Sequence, residues 1–335
     1  MNILLLSEMF SANYLSNIKG DHDGRNLWLL ELLDYLNNIG EVHTSLKKIS
    51  SNEIDLELHF NFQIPLTKAK RLLFYFEDMN VRPENFFTRF ISYDKVFSFS
   101  KLPFLEEKNH HLAYPHDLIE CHKSPLFSER IIDASMLATN RNVIFNNSNS
   151  LYNKRQSVIK FFERNASIKF NLYGKDWDQP FMKSGLFHRL TKEISKNFLN
   201  SSDERNIDYA LKNWHGTAPN KHSILLKSKF NFCFENIYGL EGYISEKILD
   251  CFVCGTVPIY FPSFEIKDSI LPKDLYYDFR DFEDEHALFH FIENFNESNY
   301  EIWISKVQEY LPVLKERHSS NTLIKEVDAV IQDLL

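Results

Sequence analysis

Short apolar runs recur along the first part of the chain and predict buried β-strands. They cover residues 3–6, 54–60, 72–76 and 96–99. Between the first two runs, apolar side chains at helical spacing predict a helix over residues 27–36 that ends before Gly40. Strands separated by helical stretches are typical of α/β sheets, so this part of the chain is predicted to be an α/β domain.

A second series of strands and helices is predicted after a loop at residues 102–124, which contains prolines and several histidines. Its strands are predicted at residues 135–138 and 168–172. The helix between these strands is predicted to start at a Ser150 cap and to continue through Phe162. Helical spacing returns in residues 301–335. The second half therefore also predicts an α/β domain, followed by helices.

Residues 228–263 predict a strand, a turn, a helix and a second strand. In the first strand, phenylalanines alternate with smaller or polar residues (FNFCFEN), and the strand ends by placing Glu235 and Asn236 at the edge of a sheet. Ser245 can cap the helix that follows, and Gly255 can end it in a left-handed conformation. Ligands of parallel sheets bind at the carboxyl ends of the strands, so this edge is a predicted ligand site.

The helix of this unit begins with an acid and a base, Glu246 and Lys247. A helix N-terminus beside a lysine suits a diphosphate, because backbone N–H groups and the helix dipole both favour anions there. Glu246 can accept hydrogen bonds from the hydroxyl groups of a ribose. These features together predict a site for a nucleotide.

Three short phrases in this stretch, taken in order, resemble the donor-binding segment of the α-1,3/4-fucosyltransferases, glycosyltransferase family 10. The phrases are FNFCFEN, GYISEKILD and GTVPIYF. Ile244 and Ser245 stand where the family has Val and Thr, and the loop between Asn236 and Tyr243 is slightly longer than in bacterial members. The resemblance is close within residues 228–263 and loose over the rest of the chain.

This resemblance implies an α/β fold of the GT-B type, with two Rossmann-like domains facing each other across a cleft. The expected bounds are 1–130 for an acceptor-binding domain, 131–312 for a nucleotide-sugar-binding domain and 313–335 for a helical segment. The implied reaction is the inverting, metal-independent transfer of L-fucose from GDP-fucose to an acceptor glycan, a GlcNAc or Gal unit of lipopolysaccharide or capsule. Two alternatives stay open. One is a transferase of the same fold that uses another nucleotide sugar, and the other is a non-catalytic relative that binds glycans or nucleotides.

The resemblance also implies which residues contact the donor. Phosphate and ribose contacts are expected from Arg155, Asn236, Glu246 and Lys247, with Tyr243 beside the sugar or the phosphates. Arg155 matches a family arginine on the helix that follows an SN-containing loop, here NNSNSLYNKR. A guanidinium at that position can hold a phosphate through two hydrogen bonds. Apart from the donor substrate, no cofactor is expected.

Inverting transfer requires a base that takes the proton of the acceptor hydroxyl. In the fucosyltransferases this acid follows an apolar strand that ends in Phe-Tyr, and the phrase KRLLFYFED places Glu77 and Asp78 there. Glu77 is preferred, because F-E-x-x-x-x-R-P resembles more distant members of the family, and Asp78 is the alternative. The alternative without a catalytic role is that both acids simply face solvent at the end of a strand.

Two D-x-D triplets raise the question of a metal, because metal-dependent glycosyltransferases use such a pair to hold a divalent ion. They are residues 21–23 and 176–178. The family-10 resemblance implies that a helix dipole, a lysine and an arginine replace the ion, so no metal site is predicted. Cys251 and Cys254 lie within an apolar helical stretch without further ligands at zinc spacing, and are predicted to be buried thiols.

Length, composition and charge limit the possible partners. The 335 residues suffice for two domains, and 30 phenylalanines in a chain that is 44% hydrophobic can build large cores. The formal net charge of −8 disfavours a nucleic acid or an anionic membrane as the main partner. The opening MNILLLSEMF lacks the basic and long apolar regions of a secretory signal, which predicts a cytoplasmic protein, with peripheral attachment to the inner face of the membrane left open.

Overall fold

The computed structural model describes residues 1–10, 26–105, 107–118, 124–141, 148–178 and 211–335. The chain forms two compact units, each built on a parallel β-sheet. The first unit comprises Met1–Ile119, Leu240–Glu246 and Leu311–Leu335, and the second comprises Glu120–Gly239 and Lys247–Tyr310. The finer domain bounds expected from the sequence stay a prediction.

The first unit contains a six-stranded sheet in the order β2-β1-β3-β4-β5-β6, with every neighbouring pair parallel. Its strands are β1 (Asn2–Leu6), β2 (Glu41–His43), β3 (Leu56–Phe60), β4 (Lys70–Tyr75), β5 (Lys95–Ser98) and β6 (Asn109–His111). Leu5, Leu58 and Leu72 lie side by side on the three central strands and are buried. The apolar runs of the sequence therefore mark the strands that form the middle of this sheet.

Helices α1 (Leu27–Ile39) and α7 (Ser320–Leu334) pack against this sheet. Trp28 and Leu32 from α1 and Val327 from α7 share one core cluster with the strands. Burial of strand residues on both faces explains why these strands appear as continuous apolar runs rather than as strict alternation. The predicted strands and the helix over residues 27–36 are confirmed.

One strand of this sheet corrects the predicted loop at residues 102–124. β6 pairs with β5 through Val96 opposite Asn109 and Ser98 opposite His111. It is a three-residue edge strand with the sequence Asn-His-His, so it carries no apolar pattern. Only its backbone pairing identifies it as a strand, and for that reason the sequence pattern missed it.

The second unit contains a five-stranded parallel sheet in the order β11-β10-β9-β7-β8. Its strands are β7 (Ile132–Leu137), β8 (Phe170–Tyr173), β9 (Ser228–Phe234), β10 (Val257–Phe261) and β11 (Tyr277–Asp278). Its helices are α2 (Tyr152–Arg164), α3 (Lys221–Leu225), α4 (Glu246–Cys254), which begins on the last residue assigned to the first unit, and α5 (Glu285–Asn294). β9 lies at the centre, and its phenylalanines Phe230, Phe232 and Phe234 are buried.

The start of α2 corrects the predicted Ser150 cap. The helix begins at Tyr152, and Leu151 occupies the N-cap position without a side-chain cap hydrogen bond. Ser150 instead pairs with Ile237 in an isolated antiparallel bridge, which holds its backbone outside the helix. The predicted continuation through Phe162 is confirmed.

The helical residues at the carboxyl end form two helices. α6 (Glu297–Arg317) is followed by α7, and the Ser319 side chain caps α7 by accepting a hydrogen bond from the Thr322 N–H. Among the residues that the structure describes, no helix combines the length and apolar character needed to cross a lipid bilayer.

Candidate functional site

The carboxyl edge of the second sheet carries a buried carboxylate where β9 ends. Glu235 directly follows β9 and is fully buried. Its backbone N–H donates to the carbonyl oxygen of Phe261 over 3.0 Å, which continues the pairing with β10 by one residue. Its two carboxylate oxygens accept hydrogen bonds from the Tyr260 hydroxyl at 2.9 Å and from Lys247 Nζ at 3.1 Å.

The ion pair of Glu235 and Lys247 fixes the first turn of α4 against the end of β9. The carboxylate of Glu235 is inaccessible to solvent, whereas the Lys247 side chain is 22% exposed. A buried carboxylate is costly unless it is paired and hydrogen-bonded, and Lys247 and Tyr260 supply both interactions. Burial raises the pKa of Tyr260 well above its usual value, and the negative charge of Glu235 raises it further. The Tyr260 hydroxyl therefore stays protonated and donates to Glu235.

Arg155 is buried on α2 and points at the same strand end. Its Nη2 donates to the carbonyl oxygens of Phe234 and Glu235, at 2.6 Å and 2.8 Å. It also donates to Asn236 Oδ1 at 2.9 Å, and its guanidinium stacks over the Tyr152 ring at 4.6 Å. Two of the predicted donor contacts, Arg155 and Asn236, are therefore in direct contact.

Backbone hydrogen bonds hold the start of α2 beside the turn that follows β9. The Leu151 N–H donates to the carbonyl oxygen of Asn236 at 3.1 Å, and the Tyr238 N–H donates to that of Asn149 at 2.8 Å. The segment before α2 thus runs along residues 236–238. This pairing, together with the bonds of Arg155, positions one cation at the strand end, and Lys247 is a second cation that bonds the same residue, Glu235.

Tyr243 and Glu246 belong to the segment Leu240–Glu246 of the first unit. Tyr243 is half-buried against the core of that unit, with its ring centroid 6.3 Å from that of Tyr114. Glu246 is buried at the first position of α4. Gly242 is required before Tyr243, because its φ is +86° and a Cβ there would collide with the ring of His111.

The two candidates for the base follow β4 but differ in exposure and contacts. The Glu77 side chain is exposed. Asp78 is half-buried, and its Oδ1 accepts hydrogen bonds from the Asn80 N–H at 2.9 Å and from Asn80 Nδ2 at 2.6 Å. The Asp78 carboxylate therefore stabilises the turn after the strand, in the manner of an Asx-turn.

Two buried asparagines that the sequence analysis missed hold the backbone of Glu77. Asn61 follows β3 with a left-handed φ of 59°, and its Oδ1 accepts from the N–H groups of Phe76 at 3.0 Å and Glu77 at 3.3 Å. Asn85 Nδ2 donates to Asn61 Oδ1 at 2.9 Å and to the carbonyl oxygen of Glu77 at 2.6 Å. In the sequence, the only signal for Asn61 is that a polar residue directly follows an apolar strand. Most loop residues are polar as well, so this signal does not single out the asparagine.

The D-x-D triplet at 176–178 lies in a turn after β8. Asp176 and Asp178 are exposed, Asp176 has a φ of 64°, and its carbonyl oxygen accepts from Asn140 Nδ2 at 2.8 Å. The other triplet, residues 21–23, lies outside the described residues. Cys251 and Cys254 are buried free thiols, as predicted. Within the described part of the chain, no group of three or more His, Cys, Asp and Glu side chains is placed to hold a metal ion.

The second half of the chain matches a known protein family. Residues 175–323 match glycosyltransferase family 10 (fucosyltransferase), C-terminal part. This segment is similar to the C-terminal part of the family-10 glycosyltransferases. The resemblance expected from the three phrases of residues 228–263 is confirmed.

One curated relative and two solved structures show how far the likeness extends. A segment of 67 residues, 19% of this chain, is 40% identical to the alpha-(1,3)-fucosyltransferase FucT of Helicobacter pylori and spans 14% of that protein. A crystal structure of an alpha1,3-fucosyltransferase with GDP aligns with a TM-score of 0.50 and 15% identity, over 96% of this chain and 92% of the other. An alpha-glucosyltransferase (AGT) in complex with UDP aligns with a TM-score of 0.59 and 11% identity, over 99% of both chains.

At identities this low, the structural alignments concern the fold alone. The two structures belong to GT-B glycosyltransferases, and each unit of the present chain carries a parallel sheet with helices. The predicted α/β fold of the GT-B type is therefore confirmed. Because the chain spans only a small part of the curated relative, activity and substrates are matters for proposal.

Proposed function

We propose that this protein is an inverting, metal-independent fucosyltransferase that uses GDP-fucose. The observation that carries the proposal is the arrangement at the end of β9, within the segment that matches family 10. There the FEN phrase and the EK phrase are joined by the pair of Glu235 and Lys247, and Arg155 bonds the same strand end. Two cations fixed beside the N-terminus of a helix suit the two negative phosphates of a nucleotide diphosphate.

Each predicted donor residue has a distinct task in this proposal. Arg155 and Lys247 meet the charge of the diphosphate, which develops further as GDP leaves. Asn236, already in contact with Arg155, offers its amide to the same oxygens. Glu246 accepts hydrogen bonds from the ribose, and Tyr243 lies beside the sugar or the phosphates.

The transfer itself needs one proton acceptor. The oxygen of the acceptor hydroxyl forms a bond to C1 of fucose, while the bond from C1 to the phosphate oxygen breaks and GDP leaves with the bonding electrons. Glu77 takes the hydroxyl proton. The exposure of its side chain supports this role, whereas the carboxylate of Asp78 is engaged by Asn80 in the turn.

The acceptor is a glycan, and we propose a GlcNAc or Gal unit of lipopolysaccharide or capsule in a cytoplasmic reaction at the inner face of the membrane. The charge balance at the phosphates supports transfer without a metal, because two side-chain cations and a helix N-terminus replace the ion. No cofactor takes part besides the donor.

A transferase of the same fold with a different donor is the second candidate. The structural likeness to an alpha-glucosyltransferase in complex with UDP favours it, since that alignment covers nearly the whole of both chains. The residues at the end of β9 contact phosphates in either case. The nucleobase of the donor therefore distinguishes the two candidates.

Thermal denaturation with a panel of nucleotides tests the donor. GDP at ~100 times its dissociation constant is expected to stabilise the protein by roughly 2.7 kcal/mol, because it binds the folded state alone. UDP and CMP at equal concentration are expected to give little change. A clear shift with UDP and none with GDP would remove the fucose assignment and leave the second candidate.

A further inference from the structure

The 3-10 helix Pro83–Phe90 of the first unit presents a row of exposed phenylalanines. Phe86, Phe87 and Phe90 are 41%, 51% and 73% exposed. Asn85 in the same helix is fully buried and bonds the backbone of Glu77 and Asn61, as described above. The helix is thus anchored by its polar residue, while its aromatic residues face solvent. This is the reverse of the usual arrangement of a surface helix.

These rings belong to one continuous surface. The Phe87 ring centroid lies 5.5 Å from that of Phe62 and 5.8 Å from that of Phe86, and Phe86 lies 5.8 Å from Phe90. Ile64, two residues after Phe62, is 71% exposed. Soluble proteins rarely expose contiguous apolar surfaces without an interaction that uses them. The aromatic face is defined here by Phe62, Phe86, Phe87, Phe90, Phe104 and Arg89.

A single exposed arginine lies among these rings. The Arg89 guanidinium lies 4.5 Å from the Phe104 centroid and 5.2 Å from that of Phe86. Its Nη2 donates to the sulfur of Met79 at 3.6 Å, and within the described residues no carboxylate pairs with it. A guanidinium that lies over aromatic rings and has no acidic partner among the described residues is suited to a phosphate at the surface of an apolar layer.

The charge of the aromatic face agrees with an anionic partner. Its one charged side chain is the cation of Arg89. Phenylalanine carries no hydrogen-bonding group, so these rings offer a partner only apolar and aromatic contacts. An apolar layer with anionic phosphates at its surface satisfies both the rings and the arginine.

We propose that the aromatic face docks this protein on the surface of a phospholipid bilayer. The phenylalanines enter the boundary between headgroups and acyl chains, and Arg89 binds the lipid phosphates. The docking brings the first unit to lipid-linked acceptors, which deepens the proposed function. The membrane contact itself does not depend on the donor or on transfer.

Flotation of the full chain with vesicles tests this proposal. Wild type is expected to bind phosphatidylcholine vesicles weakly and vesicles containing phosphatidylglycerol more strongly. The triple variant Phe86→Ser, Phe87→Ser, Phe90→Ser is expected to lower the partition coefficient more than about tenfold, because three exposed rings no longer leave water. Arg89→Gln is expected to lower it about fivefold on the anionic vesicles, and less on the phosphatidylcholine vesicles, where choline balances the charge of each phosphate.

Ile302→Ser provides the matched control, because Ile302 is an exposed apolar residue of α6 outside the aromatic face, 60% exposed. It is expected to bind vesicles like wild type. All variants should keep the melting temperature of wild type, since the replaced side chains contribute little to the core.

Absence of wild-type binding to either vesicle, or equal binding by the triple variant, would overturn the proposal. If the triple variant binds vesicles like wild type but no longer transfers fucose to a soluble oligosaccharide, the aromatic face would be assigned to the glycan instead. A wild-type dimer that the triple variant dissociates, without vesicle binding, would assign it to a second copy of the chain. Vesicle binding by a protein that transfers no fucose would sustain the docking and remove the proposed function.

Discussion

The carboxyl ends of the two sheets hold their acidic residues in opposite ways. In the second sheet, Glu235 is fully buried, and its charge is met by Lys247 at 3.1 Å. In the first sheet, Glu77 is exposed, and its backbone is held by two buried neutral amides, those of Asn61 and Asn85. The buried carboxylate orders Lys247 for a ligand, whereas the neutral amides hold the backbone of Glu77 and leave its side chain exposed.

This difference corresponds to the chemistry proposed for each edge. A diphosphate requires cations that are in place before it binds, and an internal carboxylate keeps Lys247 ordered in the absence of ligand. A catalytic base must contact its substrate, so the carboxylate that accepts the proton should not be part of a buried ion pair. The comparison predicts large stability effects at the second sheet and activity effects at the first.

The largest expected effect is the loss of the buried ion pair. Lys247→Met leaves Glu235 as a buried charge without its cation and is expected to destabilise the fold by about 3–5 kcal/mol. Unfolding in urea measures this loss. Adding Glu235→Gln should recover much of it, because the buried group is then neutral.

Lys273→Met is the matched control for that variant. Lys273 pairs with Asp281 at 3.8 Å, with both side chains more than half exposed. Its loss is expected to change stability by less than about 0.5 kcal/mol. A Lys247→Met protein as stable as this control would show that the pair with Glu235 does not order the edge of the second sheet.

The next effect concerns the base at the first sheet. Glu77→Gln keeps the size and the backbone bonds of the residue but cannot accept a proton, so kcat is expected to fall ~10²-fold with GDP affinity unchanged. Asp78→Asn should lower kcat little, because an amide oxygen can still accept the hydrogen bonds from Asn80. The reverse pattern, with Asp78→Asn inactive and Glu77→Gln active, would transfer the role to Asp78.

A smaller effect is expected from the amides that hold Glu77. Asn85→Ala removes the bonds to Asn61 and to the Glu77 carbonyl and is expected to cost about 1–3 kcal/mol of stability. In Asn85→Ala protein that remains folded, kcat should be lower than in wild type, while GDP binding stays at the wild-type level. Glu84→Ala, an exposed change in the same helix, serves as the control. A normal kcat in folded Asn85→Ala protein would limit the asparagine to a structural role.

The sequence predicted the strands of both sheets well, because strands buried on both faces produce apolar runs that local pattern detects. It predicted the segment from β9 to β10 for the same reason. Gly255 also indicated the end of the helix in this segment, because its φ of 59° lies in the left-handed region, which glycine adopts without strain. The edge strand β6 escaped, since its three polar residues owe their conformation to pairing with β5.

The pattern of apolar and polar residues did not predict the contacts between elements. Glu235 and Lys247 lie 12 residues apart on a strand end and a helix start, and no periodicity relates them. The phrases FEN and EK marked both residues, yet Lys247 was expected beside a ligand and its bond to a buried carboxylate was not foreseen. Asn85 likewise bonds Glu77 across a loop and a 3-10 helix, where neither spacing nor composition indicates a partner.

The most direct test of the account is transfer from GDP-fucose itself, measured with an oligosaccharide acceptor in excess chelator. Wild-type protein is expected to form fucosylated product with inversion at C1, and chelator is expected to leave the rate unchanged because Arg155, Lys247 and the start of α4 meet the charge of the diphosphate. A rate that disappears in chelator and returns with manganese, or product formed from UDP-glucose and none from GDP-fucose, would contradict it.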